Sequence, residues 1–146
     1  MKKILMIIAA FAAISAVSVN AVAASTPRYD SSYTVSPYYE TASAATSTLT
    51  ISGTTAKCES KLVGHSNVTS CKVEQTLEKY SGWFWIWNDV DGASWSNIIS
   101  GSSGKVTNSK SGLESGTYRL KSVFTLTSSN GKTETITVYS EELKNG

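Results

Sequence analysis

Few side chains in this sequence could do bond-making chemistry. The single histidine, His65, sits in Gly64-His65-Ser66-Asn67, a turn signal rather than a catalytic setting. The serines belong to Ser/Thr-rich stretches, and no Gly-x-Ser-x-Gly elbow, phosphate loop or zinc-ligand spacing occurs. Carboxylates mostly alternate with lysines, as on a solvated strand face, rather than pairing as a glycosidase requires. "NDVDG", residues 88–92, offers oxygen ligands. Set in the helical calcium-loop pattern, however, its first and twelfth positions are Trp87 and Ile98, where carboxylates are needed. Asp91-Gly92 therefore reads as a turn. Asn67-Val68-Thr69 fits the glycosylation triplet but arises readily in so Ser/Thr-rich a chain, and no role is assigned to it. The expectation is a protein with no catalytic residues, no metal and no cofactor.

What the sequence does concentrate is aromatic surface. All four tryptophans, Trp83, Trp85, Trp87 and Trp95, fall in "SGWFWIWNDVDGASW", interleaved with Phe84 and Ile86. These six residues are the candidate ligand-binding set. Their meaning depends on a hairpin register. A two-residue turn at Ser81-Gly82 sets Leu77 opposite Ile86 and turns Trp83, Trp85 and Trp87 outward as a stacking platform, a surface that suits sugar rings. A three-residue loop Tyr80-Ser81-Gly82, with Gly82 at positive φ, sets Leu77 opposite Trp85. It turns the indoles into the core and leaves Phe84 and Ile86 outside. Tryptophan is mostly buried in soluble proteins, so the second register is favoured. Either one leaves apolar side chains on the ribbon's other face.

The elements that carry these residues are strands. From Thr46 onward, β-branched and aromatic residues alternate with Lys, Glu, Ser and Thr between glycine turns, and no helical period is sustained. Ala56, Cys58, Ser60 and Leu62 share one face, as do Thr69, Cys71, Val73, Gln75 and Leu77. A tight turn at Gly64-His65 would pair these strands with Cys58 directly opposite Cys71. Two inward cysteines in an exported chain are expected to form one disulfide. In the last hairpin, a three-residue loop Ser129-Asn130-Gly131 pairs Phe124 with Ile136 and residue 122 with Val138, keeping apolar faces together. Gly131 then supplies the positive φ.

The ends set compartment and size. Lys2-Lys3, an apolar run from Ile4 to Val17 and Ala21-Val22-Ala23-Ala24 have the form of a signal peptide, expected over 1–24. Removing those 24 of 146 residues leaves 122, with 11 basic and 11 acidic side chains. So neutral a mature chain lacks the electrostatic footprint of nucleic-acid binding, and the run is too short for a transmembrane anchor. Residues 25–45, rich in Ser, Thr, Ala and Tyr, read as an extended arm or edge strand, and 46–146 as one β-sandwich domain.

The stretch "ESGTYRLK" resembles the run entering strand F of immunoglobulin-like domains, with Tyr118 as the corner tyrosine whose hydroxyl bonds back to the preceding turn. Leu120 stands where the antibody inter-sheet cysteine would be. From about 46 to 140 the chain is also similar to small, exported, uncharacterised bacterial β-sandwich proteins. The residues carrying that likeness are 79–82 (KYSG), 95–96 (WS), 115–121 (SGTYRLK) and 134–140 (ETITVYS). The resemblance implies an immunoglobulin-like or fibronectin-III-like sandwich of about seven strands, secreted outside the cytoplasm, and no activity. The function expected is a secreted, non-catalytic binding module that meets an extracellular glycan or protein. The alternative is a structural or cell-surface-associated protein that packs with itself or with an envelope partner.

Overall fold

The computed structural model describes residues 30–35 and 39–146, so the expected signal peptide lies outside the described residues. The described chain is all-β. Its nine strands are β1 (Asp30–Val35), β2 (Ala42–Ser52), β3 (Thr55–Gly64), β4 (Val68–Ser81), β5 (Ile86–Ser100), β6 (Ser103–Lys110), β7 (Gly116–Ser128), β8 (Thr133–Tyr139) and β9 (Leu143–Asn145). One sheet runs β1-β2-β3-β6. The other runs β5-β4-β7-β8, with β9 also pairing β7, and all pairings are antiparallel. The two sheets face each other across the core in the manner of a β-sandwich. β1, in the stretch read as an arm or edge strand, is the edge of the first sheet.

Alternation in the sequence becomes alternation of burial along β3, along β4 from Cys71 to Leu77, and along β7. Ala56, Cys58, Ser60 and Leu62 of β3 are fully buried, as are Cys71, Val73, Gln75 and Leu77 of β4. On β7, Leu120, Ser122, Phe124 and Leu126 do the same. The core has two apolar clusters. One gathers Leu62, Cys71, Val73, Phe124, Leu126 and Ile136 among others, and the second Leu49, Cys58, Leu77, Leu113, Tyr118 and Leu120.

Between them lies a polar belt. The Ser60 and Ser122 hydroxyls are 2.7 Å apart, and Ser122 donates to Ser47 at 2.8 Å. Gln75 Nε2 donates to Ser60 Oγ at 2.6 Å and to the Cys58 carbonyl at 3.3 Å, while its Oε1 accepts from Asn108 at 2.7 Å. Among the described residues no buried side-chain polar atom lacks a partner. Hydroxyls in a sandwich core are tolerable only on that condition.

The β7–β8 hairpin has the expected register. Phe124 pairs with Ile136 and Ser122 with Val138 around Ser129-Asn130-Gly131, where Gly131 holds φ 81°. The expected disulfide is absent: Cys58 and Cys71 are free thiols. Both side chains point inward as the pattern requires, but from opposite sheets, because the chain crosses between β3 and β4 instead of turning back in one sheet. They also sit at different heights. The Cys58 carbonyl meets Gln75, four residues along β4 from Cys71, which is roughly 13 Å at the rise of a strand. A disulfide needs Cα atoms within about 7 Å. Burial accordingly pushes the Cys58 thiol up to about 12 and the Cys71 thiol to about 11.

The candidate site at the tip of the β4–β5 hairpin

β4 and β5 pair Glu78 with Asp89, Lys79 with Asn88, Tyr80 with Trp87 and Ser81 with Ile86. The connection is thus a four-residue loop, Gly82-Trp83-Phe84-Trp85, and neither register expected from the sequence occurs. The amides of Phe84 and Trp85 both donate to the Ser81 carbonyl, at 3.2 and 2.9 Å, so the loop is held by its own backbone. Positive φ falls on Trp85, at 58°, and not on Gly82. A bulky side chain in that region is uncommon, and such strain of about 1–3 kcal/mol recurs at functional sites.

The favoured burial of the tryptophans is therefore overturned. Trp83 is 86 % exposed, Phe84 68 %, Trp85 82 % and Ile86 47 %. Those four form one apolar tip. Trp87, the second residue of β5, is half-buried: its ring lies 5.2 Å from that of Tyr80 and 4.2 Å under the Arg119 guanidinium. Trp95, opposite the inward-facing Gln75, is partly buried against the second core cluster and stands apart from the tip. A row of three outward indoles on one strand face, the geometry of a sugar platform, is not formed.

Sequence reasoning missed what supports the tip from below. On the outer face of the second sheet, Arg119 lies between the rings of Trp87 and Tyr139, 4.2 and 4.3 Å from their centroids. Its Nε donates to the nearly buried Glu78 carboxylate at 2.6 Å. This ladder joins β5, β4, β7 and β8 immediately behind the loop and packs Trp87 between Tyr80 and Arg119. The period-two pattern places Glu78 and Tyr80 on one face, but Arg119 joins them only through the β4–β7 register.

On the other side of the hairpin's base is a groove of ≈ 500 Å³, lined by Lys79, Asp89, Asp91, Lys110, Glu114 and Tyr118 among others. Leu77 stands opposite an irregular stretch of β5 over 90–93, with Gly92 at positive φ, which opens the groove. Lys79 donates to Glu114 at 2.9 Å. That bond raises the lysine's affinity for its proton and lowers the carboxyl's. With Glu114 exposed, the pair orients the groove wall and adds little stability. Tyr118, buried, donates its hydroxyl to the Glu114 carbonyl at 2.8 Å, the bond expected of the corner tyrosine. Among the described residues no three His, Cys, Asp or Glu side chains group to hold a metal. The chemistry on offer is apolar contact at the tip and hydrogen bonding in the groove. Protein-family models give no match to this chain, and curated proteins give none either.

Proposed function

We propose that this chain is an exported, non-catalytic binding module of the immunoglobulin or fibronectin-III kind, and that its contact surface is the apolar tip of the β4–β5 hairpin. One observation carries the reading: three consecutive large aromatics, Trp83, Phe84 and Trp85, stand in solvent on a loop with its own internal hydrogen bonds. Soluble domains seldom expose contiguous apolar side chains without a partner to cover them. Support for the fold type comes from strand order. Read as A, B, C, C′, E, F and G, strands β2 to β8 place A-B-E in one sheet and C′-C-F-G in the other. The corner bond of Tyr118 near the start of β7 agrees with strand F.

The test compares the exported chain with a Trp83→Ser/Trp85→Ser variant on a glycan array and on immobilised envelope polysaccharide. Binding by the parent that the variant loses supports the tip as contact surface, with a glycan as its ligand. Binding that the variant keeps in full places the contact elsewhere and removes this reading.

A further inference from the structure

We infer that the occupant of the tip is the interfacial layer of a lipid bilayer, an inference that rests on the binding-module reading above. Shape is the first ground. The apolar side chains cap the convex end of a hairpin, whereas the concave surface beside them is the polar groove. A sugar needs convergent hydrogen-bond partners around its stacking ring. Here the tip's side chains offer only two indole N–H groups, and those suit the boundary between headgroups and acyl chains.

Charge is the second ground. From Tyr80 to Asn88 no side chain is charged. The charges begin again with Lys79 and with the Glu78–Asp89 pair, two and three residues below the closing Ser81–Ile86 pair. That places a charged collar roughly 7–10 Å behind the closing pair, and farther still behind the loop beyond it, so a tip buried by the about 5–10 Å usual for interfacial elements leaves the collar outside the hydrocarbon. The collar mixes Lys79 and Arg119 with Glu78, Asp89 and Asp91, so it favours no particular headgroup charge. The backbone is the third ground. Entering hydrocarbon exposes unpaired amides to a heavy penalty, and those of Phe84 and Trp85 are already bonded to Ser81.

The experiment titrates the exported chain with phosphatidylcholine vesicles, with and without brominated acyl chains, alongside a Trp83→Ser/Phe84→Ser/Trp85→Ser variant. All three positions are exposed, so the variant's thermal midpoint should match the parent's and establish that it folds. Expected are a blue-shifted tryptophan emission, quenching by the brominated chains, and partitioning about tenfold or more weaker in the variant. Because no charge is engaged, raising NaCl from 50 to 500 mM should leave partitioning unchanged. Absence of partitioning or quenching overturns the lipid inference, as does partitioning that the variant retains or that salt abolishes. If the parent instead binds glycans, or self-associates in sedimentation, and the variant does not, the lipid inference falls while the tip remains a binding surface. If parent and variant are identical toward vesicles, glycans and self-association, both readings fall.

Discussion

At the residue scale the two most informative side chains are Trp85 and Tyr118, opposite in burial and opposite in expected response. Trp85 is exposed and held at φ 58°. Trp85→Ala removes no core contact and should change stability by no more than about 0.5 kcal/mol. Trp85→Gly should stabilise by about 1 kcal/mol, because glycine takes left-handed geometry without the clash a Cβ meets. Denaturant unfolding checks both, and a loss of several kcal/mol on either change would mean the ring is core. Tyr118 is the reverse case. Tyr118→Phe deletes one hydrogen bond, leaving the Glu114 carbonyl to water and Asn145, for about 1 kcal/mol. Tyr118→Ala opens a cavity under the sandwich corner and should cost about 3–5 kcal/mol.

The two cysteines carry a pH prediction. Both thiols are raised in the folded state, to about 12 and about 11, against a usual value of 9.0. The unfolded chain therefore loses these protons first. Their contribution to stability is complete below about pH 9 and is lost as pH rises through the folded values. Denaturant midpoints from pH 8 to 11 should fall, and fall less steeply in a Cys58→Ala/Cys71→Ala variant, even though that variant is less stable at pH 7. Intact mass should show two thiols that react with a maleimide only after unfolding.

At the element scale the two hairpins explain what could be read from the sequence. In β7 and β8 the apolar residues keep to one face, Phe124 and Leu126 against Ile136 and Val138. Slipping by one residue would expose them all, so the pattern fixes the register. In β4 and β5 five successive residues, Trp83 to Trp87, are apolar, and alternation carries no information where both faces are equally apolar. A glycine also marks the loop in both hairpins, but only Gly131 supplies the positive φ; in the other, Trp85 does. The cysteine pairing failed for a related reason. Face assignment was right for β3 and β4, yet a pleat pattern cannot tell a turn within one sheet from a crossing to the opposite one. Extending the register test, Gly131→Val should destabilise the β7–β8 loop by about 1–2 kcal/mol, through the forced left-handed φ alone, since its Cβ would meet open space. Gly82→Ala should be nearly neutral, because nothing crowds that Cβ beyond the Tyr80 ring at 3.9 Å.

At the scale of the whole molecule, the sandwich is two apolar clusters tied by a polar belt, and the belt sets how the sheets align. Apolar packing alone tolerates sliding of one sheet over the other. A Gln75 side chain that must reach Ser60 and the Cys58 carbonyl in the first sheet, with Ser122 reaching Ser47, admits one alignment. Gln75→Leu leaves the Ser60 hydroxyl without its amide donor and Asn108 without the Gln75 acceptor. Its cost should be about 2–3 kcal/mol, despite the gain in apolar volume. Ser60→Ala alone leaves the Gln75 amide only its longer bond to the Cys58 carbonyl and should cost about 1–2 kcal/mol. The double change removes donor and acceptor together, so its penalty should fall short of the sum by about 1 kcal/mol or more. Strict additivity in that cycle would mean that the two side chains act separately and that the belt does not hold the sheets in register. Non-additivity with an intact thermal transition but broadened amide resonances in both sheets would show the belt's role to be alignment more than stability.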